Sequence, residues 1–388
     1  MFFEVKVKKD DKYLGFEQGP IRPPSEASSL KLRITRNCPW NQCKFCRLYE
    51  GETFSVRPTQ HVIEDIDKIS QHIYDIQNAN QTPNWQMQLS ARQATMSTSD
   101  KMAFHAALKW YRCGMNSIFL QDANTMVVKS QELIKILEHI QKRFPQVNRI
   151  TSYARSHTIA RKSTEEMAQI AEAGLNRIHI GMESAANEVL QFINKRVDKK
   201  THIIAGLKVK EAGIELSEYY MPGLGGEEFS TANAMETADA MNQINPDFIR
   251  IRTLAIPQET ELYQEVQSGN FIPLGDVQMA KELMLFLQNL NGIQSRVESD
   301  HILNLFQDVD GKLPDEKEKM TTIINSFLAM DPQVQMLYMV GRRTGIFSRI
   351  TDIEDPYLNL NANQAIADHG VTMANVEEWT AAMVRQYI

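Results

Sequence analysis

Between residues 30 and 290 the chain alternates short apolar runs with amphipathic ones, and this order limits the folds open to it. Strand patterns fall at 30–36, 117–121, 148–154, 176–182, 214–220 and 247–254. Helical spacing fills 60–77, 101–112, 129–144, 164–173, 186–194, 199–212, 231–243, 259–267 and 276–290. Gly114, Gly174 and Gly213 stand just past three of those helices, as stop signals do. Six strand–helix units in series predict a parallel sheet covered by helices, with right-handed crossovers. The expected fold class is α/β: a partial (β/α)6 barrel of parallel strands with a mainly helical C-terminal extension. A doubly wound open sheet is the alternative.

The flanks read differently. Residues 1–29, rich in Pro, Gly and charge, predict an extended lead-in to a barrel over 30–292. From 293 to 388 no strand pattern is convincing, and a helical extension is expected. The polar stretch 78–100 predicts a long loop, and loops of that length are often functional or mobile. A length of 388 residues suits one large domain with a smaller one appended. No run of about 18 apolar residues occurs, so no membrane span is expected. The N-terminus lacks a secretory pattern, and a cytoplasmic location follows as an expectation. A net charge of −6 without a basic block counts against a nucleic acid partner.

The loop after the first strand reads "TRNCPWNQCKFCRLYEG" and holds Cys38, Cys43 and Cys46 in the spacing C-x4-C-x2-C. In a reducing compartment such thiols favour a metal over a disulfide. Structural zinc wants four ligands, often as two short pairs, and only Cys43 and Cys46 form such a pair. A plant-type [2Fe–2S] centre shares the spacing and would need Cys113, which sits at a helix end where a small buried residue is expected. The third reading is a [4Fe–4S] cluster held by three cysteines, with one iron open to a substrate or cofactor. The loop stands at the C-terminal end of a strand, where β/α barrels place their chemistry.

At this point the chain resembles the radical S-adenosylmethionine (SAM) superfamily. The likeness extends over "EEMAQIAEAGLNRIHIGMESAANEVLQFINKRVDKKTHIIAGLKVKEAGIELSEYYMPGLGGEE", similar to the group of coproporphyrinogen dehydrogenase-like enzymes and the Elongator catalytic subunit. The superfamily's usual spacing is C-x3-C-x2-C with an aromatic before the last cysteine. Phe45 fills that place, while the first gap is one residue longer here. The resemblance implies a [4Fe–4S] cluster on Cys38, Cys43 and Cys46, and SAM chelated at the open iron. Reduction would cleave SAM to methionine and a 5′-deoxyadenosyl radical that takes hydrogen from a substrate. A reductant such as flavodoxin or ferredoxin is implied too.

Carried over residue by residue, the family's glycine-glycine-glutamate segment falls on Gln121, Asp122 and Ala123, followed by Asn124. None of these is glycine. Glu183 and Ser184 match a SAM-contacting position after the fourth strand, and Lys195, with Arg196 beside it, matches a basic position that reaches the SAM carboxylate. Gly223 and Gly225 lie in the loop implied to lie near adenine, and Leu254, Ala255 and Ile256 would add backbone and apolar contacts.

Strand alternation adds a separate clue. Arg149, Thr151, Tyr153 and Arg155 share one parity, as do Arg177 and His179, Glu215, Ser217 and Tyr219, and Arg250 and Arg252. A barrel interior filled only for stability would carry Val, Ile and Leu there. These groups either pair with one another or hold a polar, anionic ligand. Tyr153, Arg155, Tyr219 and Arg252, near the strand ends, are the substrate-pocket candidates. Asp300 and His301, in "ESDHILNLF", join them if the helix expected there closes the barrel mouth; Ser299 or Asp300 capping that helix is the plainer account.

The function expected is hydrogen abstraction from a small, polar, anionic molecule by a radical SAM enzyme. A haem or tetrapyrrole chaperone or modifying enzyme on the same scaffold is the alternative, and an RNA-modifying enzyme ranks third. With the first strand about thirty residues in, no N-terminal cobalamin domain is expected, and with one spare cysteine no second cysteine-ligated cluster is expected.

Overall fold

The apolar runs become strands because their outward residues have helices to bury against. The computed structural model of the protein describes residues 12–79, 84, 87, 90 and 93–386. Eight strands belong to one mostly parallel sheet, in keeping with the incomplete barrel. Six of them are the expected ones: Leu30–Arg33, Ser117–Gln121, Arg149–Ala154, Arg177–Glu183, Glu215–Tyr220 and Phe248–Ile251. Two more, Arg296–Glu298 and Gly311–Lys312, lie where no strand was expected. At three and two residues they are too short to show period-two alternation.

The chain divides into two units. The first is drawn from Met1–Asn41, Leu48–Ile180 and Lys208–Glu215, the second from Gln42–Arg47, Gly181–Leu207 and Leu216–Ile388. In the first, Leu30 pairs with Ile118, Ser117 with Arg149 and Thr151 with Arg177, all in parallel. Ile150, Ile178 and Ile180 are buried on one parity, as the alternation requires. Helix Thr59–Ala79 turns Val62, Ile66, Ile69, Ile73 and Ile76 inward at helical spacing, each buried aliphatic contributing roughly 1.5–3 kcal/mol. Helix Thr98–Arg112 starts where the Ser97 hydroxyl accepts the Asp100 N–H at 3.2 Å. Both ends of the expected 78–100 loop are thus helical, and most of its centre lies outside the described residues. Helix Thr164–Glu172 opens on a full capping box between Ser163 and Glu166. Cys113, expected to be buried, is exposed at the end of its helix.

In the second unit Ser217 pairs with Phe248 and Phe248 with Arg296 in parallel, and Gly311 pairs with Val297 antiparallel. Four longer helices follow: Lys317–Leu328, Pro332–Arg343, Pro356–His369 and Val376–Arg385. The expected helix at "DHILNLF" is absent. Residues 299–310 form an irregular turn, because their polar groups bond to the sixth strand instead. Ser299 accepts a hydrogen bond from Asn304 and caps no helix. Asn304 donates to the Ile251 carbonyl at 2.7 Å and accepts the Thr253 N–H at 2.9 Å. No described helix is long and apolar enough to cross a membrane.

Candidate active site

The first unit brings Cys38 to the end of a short hairpin, Thr35–Arg36 against Ser55–Val56. Its Sγ accepts the Asn41 N–H at 3.4 Å. Arg155 stands over the Trp40 ring, 5.8 Å from its centroid, so one residue of the long cysteine gap carries a cation–π contact. Tyr153 packs on Phe119 and tilts against His179, at centroid distances of 5.6 and 5.2 Å.

The segment matched to the glycine-rich motif is largely engaged. Gln121 accepts the Gly19 N–H at 2.9 Å and donates to the Gly19 and Ile21 carbonyls. Asp122, buried, takes the Arg33 Nε at 2.8 Å, while its Oδ1 and the nearby Tyr49 hydroxyl have no hydrogen-bond partner. Burial raises its carboxyl above the usual range, against the pull of Arg33. Asn124 donates to Thr158 and accepts the Arg155 N–H, and Ala123 is half-buried. Most of these polar atoms serve the protein; within the segment Asp122 Oδ1 is left without a hydrogen-bond partner.

The same holds for much of the polar parity. Glu26 sits 3.4 Å from Arg149 and 3.5 Å from His179, and Arg177 lies 2.7 Å from Glu215. In the second unit Arg250 is bracketed by Glu298 at 2.6 Å and Asp300 at 2.9 Å, and donates to Ser217. Asp300 is thereby occupied by a structural ion pair. Tyr219 is half-buried and Arg252 exposed.

The second unit also fixes Cys43 and Cys46. The Cys46 N–H donates to the Cys43 carbonyl at 3.0 Å, a tight turn between the two thiols. Lys44, inside that turn, donates its N–H to the Ile193 carbonyl at 3.0 Å and accepts the Leu262 N–H at 2.9 Å. Its ammonium lies 4.9 Å over Phe192, pairs with Glu265, and approaches Glu261 at 3.6 Å. No cysteine is in a disulfide.

Glu183 ends its strand in the left-handed region, φ 66°, uncommon for a residue with a Cβ. Its Oε1 lies 3.7 Å from Lys195 Nζ, and its Oε2 has no hydrogen-bond partner. Lys195 in turn stands 5.7 Å over the Phe45 ring. Ser184 accepts the Ala186 N–H, and Arg196 is exposed. Gly223, at φ 86°, donates to Glu282, which also receives Tyr220, Ser230 and Asn233. Gly225 precedes helix Gly226–Ile244, where a Cβ would meet the Phe229 backbone. Leu254 packs with Ile193, Met221 and Leu224, Ile256 joins the edge of that core, and Ala255 is half-buried.

Sequence reasoning missed Glu218. It is fully buried, and neither carboxylate oxygen has a hydrogen-bond partner. Burial drives its carboxyl far above the usual range; the Glu183 carboxylate adds to the rise and Lys195 opposes it. The signal was an acid on the apolar parity of "IELSEYY", beside Leu216 and Tyr220.

Among the described residues no three His, Cys, Asp or Glu side chains are drawn to metal-holding distance. The donor set nevertheless suits the group that the resemblance implies. Thiolates are soft iron ligands, and the unpartnered Glu183 oxygen is an acceptor suited to an amino group.

Residues 98–238 match the model of the radical SAM superfamily. A tRNA uridine(34) acetyltransferase of Methanocaldococcus infernus is 28% identical over 112 residues, 29% of this chain and 21% of that protein. Its counterpart in Methanocaldococcus jannaschii is 26% identical over 110 residues, 28% and 20% of the two chains. The chain thus spans about a fifth of the length of these curated relatives. Among solved structures, coproporphyrinogen III oxidase (HemN) from Escherichia coli aligns with a TM-score of 0.44 at 13% identity, covering 68% of this chain and 52% of that one.

Proposed function

We propose that this chain, whose residues 98–238 match the radical SAM superfamily model, is a radical SAM enzyme that takes hydrogen from a small, polar, anionic substrate. Enzymes of this superfamily use a [4Fe–4S] cluster and SAM; Cys38, Cys43 and Cys46 would hold the cluster, which would supply the electron for SAM cleavage. The chain's residues bind, orient and exclude water. Glu183, with one oxygen near Lys195 and the other unpartnered, receives the methionine amino group. Lys195 is the cation for the methionine carboxylate, and Phe45 beneath it keeps water from the thiol pair. Leu254 and Ile256, on the apolar core edge, face the adenine with Gly223 and Gly225. A reductant such as flavodoxin or ferredoxin delivers the electron.

The observation that carries this reading is the Glu183–Lys195 pair with its unpartnered oxygen. The test is anaerobic reconstitution with iron and sulfide, reduction, and mass spectrometry for 5′-deoxyadenosine and methionine. Glu183→Gln should weaken SAM binding, measured by calorimetry, by about tenfold, the loss of one charged hydrogen bond. A reconstituted, reduced protein that binds no SAM overturns the proposal.

A second reading, modification of RNA, is favoured by the two relatives named as tRNA uridine(34) acetyltransferases. It predicts that added tRNA speeds 5′-deoxyadenosine formation, with a steep loss on raising salt. The small-substrate reading predicts no such effect.

A further inference from the structure

Asn304 ties the end of the sixth strand, on either side of Arg252, to the turn that begins at His301. Its amide donates to the carbonyl of Ile251 and accepts the N–H and hydroxyl of Thr253, at 2.7, 2.9 and 3.1 Å. These bonds bracket Arg252 in the chain, and Asn304 itself is 2% exposed. The same clamp holds the turn that begins at His301, whose carbonyl accepts the Asn304 N–H at 3.0 Å. Arg252 and His301 are therefore set on one rigid junction. Strand ends of this polarity are where β/α folds place ligands.

The chemistry of the pair is one-sided. His301 Nδ1 accepts the Leu303 N–H at 3.3 Å, so the remaining ring proton belongs on Nε2. Burial, helped by the Arg252 charge, pushes the imidazole down to about 4, which keeps it neutral in ordinary buffers. Nε2 makes no hydrogen bond with the described residues, and Arg252 has no carboxylate partner among them. The nearest acid in sequence, Asp300, is occupied by Arg250 at 2.9 Å. A guanidinium and a fixed N–H donor, on segments tied together through Asn304 and near enough for the Arg252 charge to act on the ring, have no acceptor among the described residues.

We propose that Arg252 and His301 form an oxyanion subsite, which binds a carboxylate or phosphate group of the substrate. This rests on the reading of the substrate as anionic. Arg252 supplies charge and a planar fork, and His301 supplies a directed neutral donor. Asn304 is the positioning residue for both.

The test uses the full-length, reconstituted protein with 15N-labelled histidine. Ring-nitrogen spectra are recorded while succinate is added, and separately inorganic phosphate. The His301 signals, assigned by their loss in His301→Gln, should show the Nε2–H neutral tautomer before addition. They should then move saturably with at least one of the two anions, and which one moves them separates carboxylate from phosphate. Arg252→Gln should weaken the response about tenfold, and Asn304→Ala should abolish saturation, while Arg112→Gln, at the exposed end of helix Thr98–Arg112, leaves it unchanged. No saturable movement with either anion, or an equal response in Arg252→Gln, overturns the subsite. SAM cleavage measured on the same sample separates that failure from a failure of the enzymatic reading.

Discussion

Glu218→Gln is expected to change how the stability of this protein depends on pH. In the folded protein the Glu218 carboxyl is fully buried, unpartnered, and raised well above its ordinary range by burial and by Glu183. In the unfolded chain it titrates near the ordinary value of about 4.3. Between those two values the folded state holds a proton that the unfolded state has lost, so stability falls as pH rises. The slope is about 1.4 kcal/mol per pH unit for one proton. Glutamine has no proton to hold, so the variant lacks this slope. Urea unfolding of both proteins at about pH 5 and about pH 6 should move their stability difference by about 1.4 kcal/mol in favour of the variant. The amide nitrogen of glutamine meets the same unpartnered pocket, which adds an offset of about 1–3 kcal/mol that does not vary with pH. Only the pH-dependent part is the test, and groups that titrate alike in both proteins cancel in the difference. A stability difference that stays constant over this interval would refute the reasoning, since it would mean that Glu218 is ionised in the fold.

Arg343→Met should destabilise the protein by about 3–5 kcal/mol in urea unfolding, because it leaves Asp276, 3% exposed, without its ion pair and strips the Leu303 carbonyl of a donor; a loss below about 1 kcal/mol would contradict the burial of that pair. Replacing Cys38, Cys43 or Cys46 by alanine should lower the iron and sulfide retained after anaerobic reconstitution, whereas Cys113→Ala, at an exposed helix end, should not. Lys44→Met keeps every thiol but removes the pairing with Glu265 and Glu261; the midpoint potential measured by redox titration should shift, and Lys44→Arg should restore it.

The six strands and most helices were legible because period and length carry them: Ile150, Ile178 and Ile180 show their burial in the alternation itself. The three cysteines stand out in the sequence because their type and close spacing lie within nine residues. The irregular turn after Ser299 was not, because what prevents a helix there is Asn304 bonding to Ile251 and Thr253, about fifty positions away. Whether the polar parity paired internally was equally hidden. Arg250 finds Glu298 and Asp300 only once a three-residue strand, too short for any periodic signal, lies beside it. Glu218 was visible as a breach of the apolar parity, yet only the fold shows that nothing answers its charge.

The turn that carries Cys43 and Cys46 is held from outside itself. Lys44 takes the Ile193 carbonyl on one side and the Leu262 N–H on the other, and its ammonium is anchored on helix Glu261–Gln267. A ligand pair near residue 45 thus takes its pose from residues about 150 and 220 positions later. A chain ended before Glu261 would keep all three cysteines and lose the Leu262 N–H and the carboxylates that hold Lys44 between two of them. During synthesis the turn between these thiols therefore lacks its outside supports until helix Glu261–Gln267 has emerged, and a cluster taken up there would gain its fixed pose only after that helix is made.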